Sequence, residues 1–470
     1  MDILLIDPPY KSLKGIGIDC AYAMGLASLA GYLNAGGVDA AILTCDLLTD
    51  TAPGNILNMD ANAYARGQET YKAAILDEGH PIWSRISEAI VASRPQAVGI
   101  MFLTPAKAVV EKIAAIIKAI DAEIPVIVGG HHPSFCYGDV LGNRHIDFAI
   151  RGEGEIPLWH LAREIIRGSR NWPAVPGLTY RDAVGELHST KDADLISDLD
   201  SLPFAARDRV LHGDYQRYRT HYLYTARGCP NNCTFCADSR MWRHTVRRRS
   251  VAHVLAELRM LKAEYDPTFV DFSDGTFTFE PKYLQHFCEA MIAEDLNLMW
   301  RCTARYDNLS GGMLRLMKKA NCFGLYLGLE SGSAAVLRGI NKKTTPEQIL
   351  ETDKMIRDSG MISMASVLMG LPDEKPEDVE QTLAFMRKMG CDLFDVNCYV
   401  PLPGTPLGGD MDPEAFKCID WLEAGFKSLT TNFSNHMSNR QFQEFLLEAY
   451  QIADDARSRF LNRMTTSLDK

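Results

Sequence analysis

The sequence predicts an α/β protein with a doubly wound, Rossmann-like N-terminal domain, a central partial (β/α)6 barrel and a helical C-terminal cap. Short apolar runs alternate with helical patterns over residues 1–190, as in a parallel doubly wound sheet. Six further apolar runs recur from residue 222, spaced close to the ~30 residues of a βα unit. From about residue 412 the apolar spacing is helical. We therefore predict boundaries of 1–190, a linker at 191–215, the barrel at 216–408 and the cap at 409–470.

Five apolar runs predict the strands of the N-terminal sheet: residues 3–6, 40–43, 97–102, 125–128 and 148–150. Doubly wound sheets bind ligands beyond the carboxyl ends of their strands, and here most of these ends are rich in Gly, Pro, Thr or His. The polar stretch at about 48–87 fits the alternation poorly and predicts a helical insertion. The sequence does not decide whether this insertion covers a ligand or is an addition to the domain without a role in binding.

The predicted barrel strands are residues 222–226, 269–272, 298–303, 325–329, 363–369 and 396–400. Six units leave such a barrel short of the eight that close it, so we expect an open side that admits a large substrate. Apolar residues at helical spacing predict two C-terminal helices, at about 416–426 and 439–463. We favour closure of the barrel over substrate recognition as their role.

Composition and charge narrow the class of protein. The chain has 470 residues, of which 46% are hydrophobic and 23% charged, as in an ordinary globular protein. A net charge of −11 argues against broad binding to nucleic acid. No segment reaches the ~18 apolar residues of a membrane span, and no basic leader precedes the first apolar run. Most of the twelve cysteines are scattered singly, which fits a reducing cytoplasm, and an oxygen-labile cluster would suit an anaerobic cell. We also expect a monomer.

Three cysteines form a local cluster at C-x3-C-x2-C spacing: Cys229, Cys233 and Cys236. Three thiolates can hold three irons of a [4Fe-4S] cluster and leave the fourth iron open to a chelating molecule. The alternative is a structural zinc site, for which His244 is the only nearby fourth ligand. His244 has no second Cys or His beside it to complete a usual zinc pair, which favours the iron-sulfur cluster.

With Phe235 and the preceding apolar run, this spacing resembles the radical S-adenosylmethionine (SAM) superfamily. The resemblance implies that the three cysteines are catalytic cluster ligands and that SAM binds the open iron. It extends to the strand ends, where it implies SAM contacts from Ser273, Asp274, Arg305, Glu330, Ser331 and Gly370.

The resemblance gives these strand-end residues separate parts of SAM. The Ser273-Asp274-Gly275 turn would hold the amino group, although the superfamily's common Gly-Gly-Glu is absent. Arg305 would hold the carboxylate with two hydrogen bonds. Glu330 and Ser331 would bind a ribose hydroxyl or the amino acid moiety, and the loop at Gly370 would pack on adenine. The basic run 247–250 is either a phosphate site or, as we favour, a helix start with Ser250 as N-cap.

A doubly wound domain before such a barrel resembles the cobalamin-binding radical SAM methyltransferases. The matching pieces are Asp7-Pro8-Pro9, the run 129–133 and the run 151–155. They imply cobalamin contacts from Pro8, Thr104, Gly129, Gly130, His131 and Glu153. Many cobalamin domains carry a cobalt-ligating His in the first loop, but residues 11–25 contain none. We therefore expect base-off cobalamin with a weak, different or absent lower ligand, unless the domain binds no corrin at all.

The resemblance implies a C-methyltransferase that passes a methyl group from methylcobalamin to an unactivated carbon after a 5′-deoxyadenosyl radical abstracts hydrogen. An electron donor such as ferredoxin or flavodoxin would reduce the cluster. One substrate prediction is a protein glutamine Cα, in methyl-coenzyme M reductase, and antibiotic-pathway and bacteriochlorophyll methylases match the motifs equally well. The alternatives are a cyclase, rearrangement or oxidation enzyme without methyl transfer, and a non-catalytic corrinoid or SAM sensor. A methylthiotransferase is disfavoured because no second set of cluster cysteines is present.

Overall fold

Two β-sheets, one following the other along the chain, organise the molecule. The computed structural model describes residues 1–15, 23–49, 61–212, 220–409, 416–430 and 432–468. The strands are β1 Ile3–Asp7, β2 Ala40–Thr44, β3 Ala97–Met101, β4 Val126–Gly129, β5 Phe148–Ile150, β6 Leu178–Arg181, β7 Leu187–Ser189, β8 Val210–Leu211, β9 Thr220–Leu223, β10 Ala226–Arg227, β11 Arg247–Arg248, β12 Phe269–Phe272, β13 Met299–Ala304, β14 Cys322–Glu330, β15 Ile362–Met369 and β16 Leu393–Cys398.

The α-helices connect these strands and close the C-terminal end. They are α1 Met24–Ala35, α2 Ala61–Leu76, α3 Pro81–Ser93, α4 Lys107–Ile120, α5 His131–Val140, α6 Glu155–Arg167, α7 Asp238–Met241, α8 Val251–Glu264, α9 Pro281–Glu294, α10 Gly311–Lys319, α11 Ala334–Gly339, α12 Pro346–Asp358, α13 Pro376–Lys388, α14 Pro406–Gly409 and α15 Asn439–Leu468. No described helix combines the length and the apolar composition that a membrane crossing needs.

The N-terminal sheet has the order β7-β6-β5-β4-β3-β1-β2-β8. β1 lies between β2 and β3, with Leu4 opposite Ala41 on one side and Val98 on the other. All pairs from β8 to β5 are parallel, and β6 and β7 add an antiparallel edge. The strands β1 to β5 are almost entirely buried because helices cover both faces, whereas the edge strand β7 is exposed. This burial confirms the predicted doubly wound sheet. β8 joins the edge of the sheet from within the predicted linker.

The part of the predicted insertion that the structure describes from residue 61 onward holds α2 and the first half of α3, which have different surroundings. α3 packs Ile82, Trp83 and Ile86 into the N-terminal core. α2 instead reaches the C-terminal part of the chain, where Gln68 donates to the carbonyl of Leu422 at 2.7 Å. The insertion therefore includes a helix that ties the N-terminal domain to the C-terminal segment.

The second sheet has the order β16-β15-β14-β13-β12-β9 and is parallel throughout. Six parallel strands in sequential order, each followed by helix, give the predicted open half-barrel. Its helix-facing side is filled by large apolar groups, among them Phe272, Phe277, Phe287 and Trp300 in mutual ring contact. This packing fixes the strand ends, where the loops of the site begin.

The C-terminal cap matches the prediction in one of its two helices. α15 buries Phe442, Leu446 and Tyr450 against the barrel core, as its apolar stripe predicts. The helix predicted at 416–426 is wrong, because the described residues 416–430 form turns after residue 417. The physical reason lies at the open edge of β16, where Cys398 donates its N–H to the carbonyl of Phe426 at 2.7 Å. This bond holds the segment along the edge of the sheet, where it forms turns.

Candidate active site

The three clustered cysteines lie on the loop between β10 and α7. Gly228, at φ +99°, starts this loop, and a Cβ there would overlap the carbonyl oxygen of Thr245. Thr234 donates its N–H to Ile340 at 3.1 Å, and Leu407 donates to Thr234 at 3.1 Å. The loop is therefore held between the strand end of the barrel, the turn after α11 and α14.

Each of two cysteine sulfurs has a polar neighbour. The Sγ of Cys229 lies 3.4 Å from Asn231 Nδ2 and 3.4 Å from Thr276 Oγ1. The Sγ of Cys233 lies 3.7 Å from Nη1 of Arg305. Donors around cluster sulfurs stabilise their negative charge, so this surrounding suits thiolates bound to iron.

The donor set fits an iron-sulfur cluster better than a single metal ion. Burial raises the pKa of the Cys236 thiol to about 12, so a bound cation must drive its deprotonation. Each thiolate of such a cluster binds a different iron, and the sulfurs need not meet at one point. Among the described residues, no three His, Cys, Asp or Glu side chains converge as they would on one ion. His244, the proposed zinc ligand, is exposed and 2.9 Å from Asn232 Oδ1.

Asp274 lies where the sequence placed it, but its carboxylate is already engaged. It is 2% exposed and accepts the N–H groups of Thr225 at 2.7 Å and Ala226 at 3.0 Å. The carboxylate therefore fixes the connection from β9 to β10, and its contact with the SAM amino group stays a prediction. Its neighbours Ser273 and Gly275 do line a cavity, described below.

Arg305 is also engaged within the protein. Asp307 accepts from its Nε at 2.8 Å and from its Nη2 at 2.7 Å, so the bidentate edge of the guanidinium is occupied. Nη2 also donates to the carbonyl of Lys342, and Nη1 points to Cys233. In this arrangement Arg305 is bonded within the protein, and its contact with the SAM carboxylate stays a prediction.

Glu330 and Ser331 form the end of β14. Glu330, at φ +63°, accepts from Lys342 Nζ at 2.7 Å in a buried ion pair. The hydroxyl of Ser331 is fully buried, 2.8 Å from Thr382 Oγ1, and accepts the N–H of Ser333 at 3.0 Å. Ser331 therefore stabilises the turn, while Glu330 holds Lys342 beside the cysteine loop.

The loop after β15 begins at Gly370, at φ +83°. Its N–H donates to Glu374 Oε2 at 2.6 Å, and a Cβ would lie 2.9 Å from the ring of Phe442. Burial raises the pKa of Glu374 to about 7. The predicted adenine loop is thus packed from behind by α15.

A cavity of about 590 Å³ lies between the carboxyl edge of the N-terminal sheet and the cysteine loop. Four residues predicted for cobalamin line it: Gly129, Gly130, His131 and Glu153. Pro8 and Thr104 do not line this cavity, and their cobalamin contacts stay a prediction. Both are buried, and the Thr104 hydroxyl lies 3.1 Å from His132 Nδ1.

The cavity suits a bulky, flat organic cofactor. Its volume lies within the range of ligand and cofactor sites. Gly130 has φ +119°, and a Cβ there would lie 2.9 Å from the carbonyl oxygen of Phe102, so only glycine leaves this wall open. The opposite wall includes Gly228, Ser273 and Gly275 from the barrel side. One chamber therefore joins the predicted corrin surface to the loop that carries the cysteines.

A buried ion-pair network crosses the wall of this chamber. Arg227, directly before the cysteine loop, donates to Glu153 at 2.6 Å and also pairs with Glu155. Arg247 donates to Glu153 at 2.8 Å. Burial opposes ionisation of Glu155, but the charge of Arg227 and its hydrogen bond outweigh it and keep the pKa of Glu155 below its usual range. The network fixes the N-terminal domain against the barrel.

Sequence reasoning missed Arg227 and Thr276. The only signal for Arg227 was its place just before Gly228, since its partners are about 70 residues away in sequence. The basic run fits the favoured interpretation: Ser250 caps α8, accepting from His253 N–H, and Arg249 pairs with Glu257. With Arg247 on Glu153, the run binds protein carboxylates, not phosphate.

Comparison with known proteins gives two family matches. Residues 223–386 match the radical SAM superfamily, and residues 19–162 match the B12 binding domain. An uncharacterised methyltransferase of Pyrococcus horikoshii is 30% identical over 353 residues, covering 72% of this chain and 76% of that protein. The anaerobic magnesium-protoporphyrin IX monomethyl ester cyclase of Rubrivivax gelatinosus is 29% identical over 419 residues, covering 87% of this chain and 69% of that protein.

Two solved structures share the fold. The radical SAM methyltransferase TsrM from Kitasatospora setae, with cobalamin and a [4Fe-4S] cluster bound, matches with a TM-score of 0.66 at 18% identity, covering 87% of this chain and 74% of that one. The cobalamin-dependent radical SAM enzyme OxsB, with aqua-cobalamin and SAM bound, matches with a TM-score of 0.62 at 16% identity, covering 97% and 56%. Both place the order of domains found here in a known architecture.

Proposed function

The chain belongs to the cobalamin-dependent radical SAM enzymes of methyltransferase type, and from that premise we propose that it methylates an unactivated carbon atom. The observation that carries the proposal is the shared chamber. Gly129 and Gly130 line it from the N-terminal sheet, and Gly228 and Gly275 line it from beside the cysteine loop. A substrate there would lie within reach of both cofactors.

The cofactors of this enzyme are a [4Fe-4S] cluster, SAM and cobalamin. When bound, they supply hydrogen-atom abstraction at the substrate and a methyl group to transfer. Cys229, Cys233 and Cys236 would hold the cluster, and the Thr276 hydroxyl lies 3.4 Å from the sulfur of the first of them. Glycines at the carboxyl edge of the N-terminal sheet would face the corrin, with the Glu153 network behind them. The protein's own part is orientation and exclusion of water.

We propose a substrate, an electron donor and a cellular setting for this enzyme. The substrate stays the predicted glutamine Cα of methyl-coenzyme M reductase, for which peptide mass spectrometry of a host lacking the protein is the test. We also propose reduction by a ferredoxin or flavodoxin, base-off cobalamin and a monomer in a reducing cytoplasm. The cysteines Cys288, Cys302 and Cys322, free and buried outside the cysteine loop, support a reducing location.

A cyclase without methyl transfer is the second candidate. The observation that favours it is the similarity to the Rubrivivax gelatinosus cyclase over 87% of this chain. Both reactions would use the same chamber, so they differ in product and not in cofactor set. The non-catalytic sensor is set aside because the chain is an enzyme of methyltransferase type.

The decisive experiment is an anaerobic assay of reduced, cobalamin-loaded protein with SAM labelled in its methyl group. We expect 5′-deoxyadenosine together with label in the product. Cys233→Ala should abolish 5′-deoxyadenosine formation because it removes a cluster ligand. Cys418→Ala is the matched control, since Cys418 is an exposed free cysteine outside the site.

The outcomes separate the candidates. Unlabelled, altered product formed with 5′-deoxyadenosine would support the cyclase and contradict methyl transfer. Labelled product without 5′-deoxyadenosine would contradict hydrogen abstraction. Protein purified with cobalamin supplied, yet lacking a corrin absorption spectrum, would contradict the role of the N-terminal domain.

A further inference from the structure

Arg305 is a buried cation that contacts a predicted cluster ligand. It is 5% exposed, and its Nη1 lies 3.7 Å from the sulfur of Cys233, within hydrogen-bond reach of a sulfur acceptor. Among the three cysteines, Cys233 is the one whose side chain is buried. The contact therefore lies away from solvent, where a hydrogen bond to a charged group is strongest.

The direction of this contact is fixed by the rest of the guanidinium. Asp307 accepts from Nε at 2.8 Å and from Nη2 at 2.7 Å, and the Lys342 carbonyl accepts from Nη2 as well. Because the guanidinium is planar and rigid, these bonds leave Nη1 directed at Cys233. Binding a SAM carboxylate through two hydrogen bonds would require Arg305 to give up Asp307.

The charged side chains around Cys233 give a positive electrostatic potential at its sulfur. Lys342 is neutralised by Glu330 at 2.7 Å, with both side chains buried. The side chain of Asp307 is 25% exposed, whereas that of Arg305 is 6% exposed, so water screens the carboxylate more than the guanidinium. The guanidinium is therefore the cation least cancelled near this sulfur.

We propose that Arg305 raises the reduction potential of the cluster and is not the partner of the SAM carboxylate. One-electron reduction by an external donor adds negative charge to the irons and their sulfur ligands. An N–H donor and a positive charge beside Cys233 stabilise the reduced state more than the oxidised one. This inference rests only on the part of the proposed function in which the three cysteines hold the cluster.

The test is a redox titration of the cluster followed by electron paramagnetic resonance, on reconstituted protein without substrate. Arg305→Gln should make the midpoint potential more negative. SAM affinity, measured as the SAM-induced change in the spectrum of the reduced cluster, should change less than about threefold. Arg301→Gln is the matched control, because Arg301 lies on β13, the strand that Arg305 follows, and pairs with Asp271.

Arg305→Lys keeps the positive charge and should give a smaller shift in the same direction, and it serves if the glutamine variant loses iron. An unchanged potential in a variant with full iron content would overturn the proposal. So would a loss of SAM affinity greater than tenfold without a potential shift, since that is the behaviour of a carboxylate partner. Neither result depends on methyl transfer, so failure here is distinct from failure of the proposed reaction.

Discussion

Gly228 shows how a single residue without a side chain makes the cluster loop possible. It precedes the first cluster cysteine at φ +99°, where an L side chain is strained, and a Cβ would overlap the Thr245 carbonyl. The other decisive residues of the site act through polar contacts: Asp274 holds two backbone N–H groups, and Arg305 reaches Cys233. At this scale the site depends on close approach between loops that are distant in sequence.

Gly228→Ala should prevent normal cluster assembly. The added methyl group must displace either the cysteine loop or the Thr245 backbone, so we expect at least a twofold loss of iron per protein after anaerobic reconstitution. Gly339→Ala is the control, since it lies near the same loop but meets nothing within 4 Å. A Gly228→Ala protein with full iron content would contradict this account of the loop.

The helix α15 supports the site by packing Phe442 against the loop that follows β15. Phe442 is 1% exposed and packs against the loop that begins at Gly370, which Glu374 holds from the other side. The apolar stripe of α15 was readable from sequence, because its residues repeat at helical spacing. The loop against which α15 packs could not be predicted from sequence, because the spacing of apolar residues shows which face is buried but not what covers it.

Phe442→Ala should destabilise the protein by about 3–5 kcal/mol, the usual cost of removing a buried aromatic ring from a core. It should also weaken SAM binding, since the loop at Gly370 loses its support. Denaturant unfolding and SAM titration measure the two effects. Leu447→Ala, at a position 45% exposed on the same helix, should change stability by less than about 0.5 kcal/mol. Equal costs for the two variants would contradict the packing described.

The whole molecule is held together by contacts between its N-terminal domain and the barrel. Arg227 bridges Glu153 and Glu155, whose side chains are 3% and 4% exposed. At the far side, Gln68 of α2 binds the carbonyl of Leu422 in the C-terminal segment. The N-terminal domain therefore has one polar junction beside the cysteine loop and another through the insertion, which gives the insertion a structural role.

Arg227→Gln should cost about 3–5 kcal/mol, because it leaves the buried carboxylate of Glu155 without its cation and Glu153 with Arg247 alone. It should also lower cobalamin affinity, since Glu153 lines the chamber. Thermal unfolding and corrin titration would measure these effects. Arg259→Gln, which removes an exposed pair with Glu294, should cost less than about 1 kcal/mol. Wild-type stability in the Arg227 variant would show that the network does not join the domains.

The sequence by itself determined five of the eight strands of the N-terminal sheet, the six strands of the barrel, the cysteine triad and the family. Apolar periodicity predicts strands locally, and the three cysteines are neighbours within a short loop, so no distant partner was needed. Only the tertiary structure decided which polar groups remain free for a ligand. Asp274 and Arg305 had the right chemistry at the right strand ends, yet Thr225, Ala226, Asp307 and Cys233 occupy them. Hydrogen bonds from residues distant in sequence compete with a ligand for the same donors and acceptors. The order of residues along the chain does not show which of these partners are near in space.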